Sequence, residues 1–358
     1  MSRSLESPTT HSEFKTESGV GFWLDGQVFR TQALPELWQY WHKSRPDPGL
    51  VVALSCGWIR ITEAGESVDT LNSDFLLLPG MRYQLWLEGH AEAEVDSRWK
   101  LLWHDNDLQA VYKPPLLPVS RTTRNLFQTL IGLVRRHTQF EDAHLLHRID
   151  AETSGIVLIA ANSHADKKWK KRMDRLVSLK GYVALVGGEV EWSELNDSCW
   201  LAERLDGAIK SQMHVAENPE AAGWIKPKHA ETWFKRLKVF REEGQVRTLV
   251  ACQLGTGRRH QLRARLSSLG HPIVGDKIYS HDGYFYLKRL EQDGLSASDY
   301  QALGAPHQLL HAVHLNVTRF GHTQSIHSYQ QMPDSWPSDV RDWLLENASS
   351  IEWKSVED

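Results

Sequence analysis

Cysteine is scarce in this 358-residue chain, and its three copies, Cys56, Cys199 and Cys252, are widely separated and odd in number. That excludes a disulfide framework and fits a reducing cytoplasm. Long apolar runs are missing too: none approaches the roughly eighteen residues that a membrane-spanning helix needs. Residues 1–20 contain no apolar signal core and read as a disordered, polar lead-in. Nor does charge of one sign announce a nucleic-acid partner, because the net charge is −4. No internal repeat or low-complexity block interrupts the chain. Its length leaves room for one large domain and a smaller one.

What is present is unevenly spread. Residues 1–100 hold 9 Lys/Arg against 14 Asp/Glu, whereas His164–Tyr182 holds seven Lys/Arg and two Asp. A local basic face can hold a phosphate backbone in an otherwise acidic protein; it can equally be a solvated helix face. The 15 Trp residues are scattered, which reads as packing rather than as a set of base-stacking platforms.

Residues 21–97 read as a small α+β module. Leu34, Leu37, Trp38 and Trp41 have helical spacing, and Trp58–Ile61 and Phe75–Leu78 look like short strands. The acidic stretch Glu88–Asp96 reads as a linker. The main domain, residues 98–345, opens with a strand through Ala110–Tyr112, stopped by Lys113-Pro114-Pro115. A helix is expected over Asn125–His137, and a basic helix over Ala165–Ser178, capped by Ser163. A strand follows at Tyr182–Val186, then a hairpin of Glu231–Phe240 and Val246–Leu254. The helix Arg259–Leu269, closed by Gly270, places Leu262, Leu266 and Leu269 on one stripe and Arg259 and Arg263 on another face. Residues 281–306 read as an irregular insertion and 346–358 as a polar tail.

The segment His147-Arg148-Ile149-Asp150-Ala151-Glu152-Thr153-Ser154-Gly155 runs into Ile-Val-Leu-Ile-Ala, a buried strand. A carboxylate here is fixed by the strand while its turn faces solvent. Alone, Asp150 is more often a turn-former or surface ion pair. Later segments supply what a reactive carboxylate needs: Lys180-x-Tyr182, then Gly257-Arg258-x-His260-Gln261-Leu262-Arg263, then Gly270-His271-Pro272-Ile273-x-Gly275-Asp276-x-x-Tyr279. Leu310-His311-Ala312-x-x-Leu315 and the early Lys113-Pro114 complete the series. In this order, over roughly residues 101–320, the set is similar to the motifs of the RluA-type RNA pseudouridine synthases.

The resemblance implies an α+β catalytic domain on a curved, mixed, largely antiparallel sheet with flanking helices. The N-terminal module stands where many relatives carry a small RNA-binding domain, although its acidic balance suits RNA poorly. The implied reaction turns uridine into pseudouridine in structured RNA, ribosomal or transfer, after the base is extruded from its stack. The resemblance makes Asp150, Tyr182 and Arg263 catalytic. Asp150 acts at the ribose as nucleophile or as base, and both routes stay open. Arg263 is the cation that keeps it ionised, and Tyr182 is a ring against the uracil. Arg148 fills the vacated stack, and His147, Arg258, His260, Gln261 and Lys113 join it as RNA contacts. No cofactor and no metal are implied, and a cytoplasmic monomer is expected. Arg265 departs from the family, where His is frequent, and reads as a changed RNA contact.

Two other classes fit parts of the pattern. A non-catalytic RNA-binding protein on this fold is opposed by the intact Asp150, Tyr182 and Arg263. A retaining hydrolase needs a second acid about 5 Å from the nucleophile, and Glu152 and Asp276 are the nearby candidates by motif. His307, His311 and His314 have spacing that would align three imidazoles on a helix, a weak metal signal without a fourth ligand.

Overall fold

The computed structural model describes residues 22–43, 47–87, 92, 94–122, 125–242, 244–292 and 294–354. The lead-in over residues 1–20 and the last four residues lie outside these. The chain divides into two compact units, one of Met1–Glu94 with Arg121–Phe127, the other of Val95–Ser120 with Gln128–Asp358.

The smaller unit has an antiparallel sheet in the order Phe22–Gln27, Arg82–Leu87, Ile59–Glu63, Glu66–Ser67. Against it lies the helix Leu34–His42, with Pro35 in its first turn and Leu34, Leu37, Trp38 and Trp41 buried. Strand Arg82–Leu87 alternates, burying Tyr83, Leu85 and Leu87. The strand expected at Phe75–Leu78 shrinks to Leu76–Leu77, paired with Gln32–Ala33. Leu126 joins this core, and Glu92 accepts hydrogen bonds from the amides of Leu126 and Phe127. The helix expected from Asn125 therefore begins only at Leu130, where the Thr129 side chain caps it by accepting from the Gly132 amide.

The larger unit is organised by an eleven-stranded sheet. Its order is His214–Val215, Glu194–Arg204, Trp224–Glu242, Gln245–Leu254, Val177–Gly187, Leu310–Arg319, Ser154–Ala160, Leu108–Lys113, Lys100–His104. His322–His327 pairs onto Leu310–Arg319, and His144–Leu145 onto Ser154–Ala160. Every pairing is antiparallel except Ser154 and Gly155 against His311 and Ala312. Register shifts at Leu101/Trp103, Gly181/Tyr182, Leu201/Glu203 and Arg236/Lys238 add local twist and bend the sheet. The central strands are buried on both faces. Val157, Ile159, Tyr182, Ala184 and Val186 pack with Leu262 and Leu266 on one side. On the other, Ile156, Leu158 and Ala160 meet Trp169 and Leu176.

Several expected elements take different bounds. The basic segment is capped by Asn162, not Ser163, and runs as two short helices, Ser163–Lys170 and Met173–Leu176. The chain is already a strand at Val177, because Val177 and Leu179 alternate into the core. The helix carrying Arg263 is Gln261–Ser268, so Arg259 precedes it. Residues 281–306 are not irregular: they hold helices Tyr284–Glu291 and Ala297–Leu303, the second opened by a Ser296/Asp299 capping box. The tail is not merely polar. Ile351 is buried, Glu352 pairs with Lys235 at 3.0 Å, and Trp353 packs edge-on against His314 at 5.7 Å between centroids. His311 and His314 lie on a strand, which breaks the helical alignment, and no metal-binding group of three residues occurs among the described residues.

One glycine governs the centre. Gly155 has φ +111°, and a Cβ there would lie 2.3 Å from the Ala312 carbonyl oxygen. The parallel contact therefore depends on the missing side chain. Gly155→Ala should destabilise the larger unit by at least about 2 kcal/mol, read as a lowered urea midpoint. A wild-type midpoint would mean that the two strands separate at no cost.

Candidate active site

The turn ahead of strand Ser154–Ala160 closes through the Thr153 amide on the Asp150 carbonyl at 3.1 Å. It is braced from beneath by Lys113, which is fully buried and donates to the carbonyls of Pro114, Leu117 and Ala151 at 2.8, 2.9 and 2.8 Å. Three acceptors use all three N–H bonds of an ammonium, while burial pushes its pKa down to about 7. Gln308 donates to the Thr153 hydroxyl, and Ser154 Oγ lies 2.7 Å from His311 Nδ1. The turn is thus held on three sides.

Arg263 comes from the facing helix, whose entry residue His260 is left-handed at φ 53°. Its Nη1 donates to Asp150 Oδ2 at 2.7 Å. Its Nε and Nη2 form a fork on Asp276 at 2.7 and 2.9 Å. Asp276 has no exposed surface and also accepts from the amides of Ile278 and Tyr279 at 3.0 and 3.1 Å. The Arg263 side chain is 7% exposed and that of Asp150 30%. One buried guanidinium is therefore shared by a sunken carboxylate and one that faces outward.

Burial alone would raise the Asp150 pKa; the charge of Arg263 and its hydrogen bond outweigh it and hold the carboxyl below its usual range. His260 completes the surround. Its Nε2 lies 3.8 Å from Asp150 Oδ1, and its Nδ1 lies 3.0 Å from the Tyr279 hydroxyl. That hydroxyl accepts from the Met213 amide at 2.8 Å. Burial and the neighbouring guanidinium push the imidazole pKa down to about 4, so it is neutral at pH 7.

Tyr182, on the strand Val177–Gly187, is 8% exposed. Burial, then the charge of Asp150, raises its phenol pKa, which keeps the proton on the oxygen. Arg148 is exposed. Arg258 is also at the surface, with Nε donating to the His229 carbonyl at 2.8 Å.

Three expected RNA contacts are corrected. Lys113 spends its donors on carbonyls. His147 accepts from the Leu158 amide through Nε2 at 2.9 Å, and burial lowers its pKa to about 4. Gln261, 3% exposed, bridges the Glu231 carbonyl, Thr232, Thr256 and the Arg258 amide. All three hold the backbone around the site. Arg265 is corrected as well: it clasps Asp197, with Nε at 2.9 Å and Nη2 at 2.6 Å. The two hydrolase candidates are occupied, Asp276 by Arg263 and Glu152 by Lys277 at 3.0 Å and Arg289 at 3.5 Å. Tyr279 had no role in the sequence reading, and Asp276 only that of a candidate hydrolase acid; the Gly-Asp-x-x-Tyr spacing contained both, and a buried Arg needs an anchoring carboxylate.

Residues 107–268 match the sequence family described as RNA pseudouridylate synthase. The chain is 29% identical over 225 residues to the ribosomal large subunit pseudouridine synthase D of Nitrosomonas europaea, covering 61% of this chain and 58% of that protein. It is 29% identical over 210 residues to the dual-specificity RNA pseudouridine synthase RluA of Vibrio vulnificus, covering 58% and 79%. The chain spans 49% to 58% of the length of four curated relatives. Its fold resembles human RNA pseudouridylate synthase domain containing 1, with a TM-score of 0.53 and 21% identity over 74% of this chain and 100% of that one.

Replacing Arg263 by Gln leaves Asp276 buried without its counter-charge, an expected cost of about 3–5 kcal/mol. It also leaves burial acting nearly alone on Asp150, whose pKa then rises. In the wild type the depressed pKa contributes stability that is complete above the unfolded value near 4 and is lost as pH falls through the folded value. The acid limb, followed by carboxyl NMR titration of Asp150, should move to higher pH in the variant. An unmoved titration would deny Arg263 this electrostatic role.

Proposed function

We propose that the chain, whose residues 107–268 match the RNA pseudouridylate synthase family, is an RluA-type enzyme that isomerises uridine to pseudouridine in structured RNA. One observation carries the reading: a carboxylate held ionised by a buried guanidinium at 2.7 Å, yet 30% open to the outside. Such a group suits attack on, or proton removal from, a ribose that enters from solvent.

Uridine in a stem-loop is stacked, and extruding it costs a few kcal/mol. The exposed guanidinium of Arg148 is planar and can take the vacated place. Asp150 then acts at the sugar, bonding to the anomeric carbon as the base leaves or taking a neighbouring sugar proton. The detached base turns and its carbon 5 bonds to the anomeric carbon as Asp150 leaves that carbon or returns the sugar proton, which leaves a proton on carbon 5 to be removed. Tyr182 offers a ring to the uracil, and its protonated phenol can pass one proton on as it receives another. Asp276, His260 and Lys113 act through Asp150 and Arg263 as positioning residues.

The names of the relatives point to ribosomal RNA in one case and to dual specificity in another, so the proposed target is a stem-loop of ribosomal or transfer RNA. One chain can supply every residue of the proposed site, and a monomer is the proposed state. The three free cysteines support a reducing, cytoplasmic setting.

Carbodiimide mapping of pseudouridine in ribosomal and transfer RNA tests this in a strain without the gene, restored with wild type or with Asp150→Ala. One site should vanish, return with wild type and stay absent with the variant, a loss of at least about 10²-fold. Persistence of every site in all strains would sink the reading in favour of a non-catalytic RNA binder. Tyr182→Phe keeps the ring and removes the phenol: kcat should fall with KM little changed, whereas an unchanged kcat would limit Tyr182 to stacking.

A further inference from the structure

The hairpin joining Leu310–Arg319 to His322–His327 turns through Phe320 and Gly321, both left-handed, at φ 50° and 79°. Glycine, asparagine and aspartate take that conformation readily; phenylalanine is strained there. Burial gives nothing in return, since Phe320 is 84% exposed. Its ring meets the buried Trp169 edge-on at 6.5 Å between centroids. Folding alone gives no reason for a strained, solvent-facing aromatic at a loop tip.

Trp169 belongs to the segment with the chain's strongest local positive charge. Lys168 is paired with Asp107 and Lys170 with Asp166. Lys167, Lys171, Arg172 and Arg175 are exposed and form no ion pair among the described residues. Arg319 fixes the tip against Trp169: it pairs with Asp105 and lies over the rings of Trp103 and Trp169 at 6.0 and 5.6 Å. The helix Ser163–Lys170 starts just past the far end of strand Ser154–Ala160 from Asp150, on the order of 20 Å away at the rise of a strand. It covers the face opposite to Leu262 and Leu266.

We propose that Phe320 with Lys167, Lys171, Arg172 and Arg175 forms a second RNA contact, remote from Asp150. The ring stacks on an unpaired base and the cations hold the flanking phosphates. This rests on the reading of the protein as an RNA-modifying enzyme. An acidic protein segment would satisfy the cations but would give Phe320 no base to stack on. Because the patch lies at the other end and other face of the sheet, only an RNA extending well beyond the target stem-loop reaches both places. The contact therefore adds affinity for large folded RNA and leaves turnover of a short stem-loop unchanged.

The test measures filter binding of the full chain to unmodified transcripts of large-subunit ribosomal RNA and transfer RNA, and to isolated stem-loops cut from them, between 50 and 200 mM salt. The triple variant Lys167→Glu, Lys171→Glu, Arg175→Glu should bind the long transcripts at least about tenfold more weakly. Its plot of log affinity against log salt should flatten by roughly two, at about 0.7 per lost phosphate contact on a single strand. Phe320→Gly should raise Tm by relieving the left-handed strain and still weaken long-RNA binding roughly tenfold. Asp150→Ala should bind like wild type. Unchanged affinity in the triple variant and in Phe320→Gly, with pseudouridine still dependent on Asp150, overturns the second contact and leaves the catalytic reading intact. A lowered Tm with unchanged affinity in Phe320→Gly assigns the ring a structural role and likewise overturns it. If the wild type neither binds nor modifies any transcript, the catalytic reading falls first and takes this one with it.

Discussion

Everything at the site depends on one guanidinium with two carboxylates. Burying Arg263 is costly unless its donors and charge are answered, and Asp276 answers most of it with a two-point fork. That leaves Nη1 as the donor for Asp150, at 2.7 Å. The local sum is one positive charge against two negative, and the excess negative charge falls on the carboxylate that is not sunk. Asp276 is held in place by two backbone amides as well, so it does not compete for the outward position. The result is an ionised carboxylate with a fixed Oδ2 and an Oδ1 that lies 3.8 Å from His260 Nε2. A neutral imidazole suits this place, because a second full cation would quench the charge that the proposed chemistry requires.

The fold meets this demand through one short parallel contact in an otherwise antiparallel sheet. Pairing Ser154 and Gly155 with His311 and Ala312 brings the Asp150 turn beside the segment that carries Gln308. Lys113 sits across the same turn from the strand on the other side. A side chain at position 155 would collide with the Ala312 backbone, so the glycine is a condition of the contact. A similar need appears at Gly275, where a Cβ would lie 2.1 Å from the His307 carbonyl oxygen; that close approach brings the Asp276 loop against the chain leading to Gln308.

The proposed catalytic trio could be picked out because each member sits in an ordered string of motifs. What could not be read was which polar residues face inward. Lys113, His147 and Gln261 look like surface contacts in a sequence, since Lys, His and Gln are usually exposed. Here each satisfies backbone groups that the curved sheet leaves unpaired, and only the three-dimensional path of the loops creates those needs. Element ends failed for a related reason. Residues 163–178 have helical composition throughout, but Val177 and Leu179 are claimed by the core, and tertiary burial outweighs helix propensity. In the insertion at 281–306, a Ser-x-x-Asp capping box was present and went unread because no long apolar stripe accompanied it.

A net charge of −4 is no obstacle to an RNA substrate, because phosphates respond to the potential within about 8 Å at physiological salt. Over that range the sign is set by nearby unpaired groups. The exposed cations Lys167, Lys171, Arg172 and Arg175 lie within one short segment, while the acidic excess is concentrated in residues 1–100. Around Asp150 the argument runs the other way. A strongly positive site would bind RNA well but would neutralise the carboxylate's role, so the cation there is buried and shared between two acids. On the proposed reading, binding charge and catalytic charge make opposite demands, which separate places on the sheet would meet.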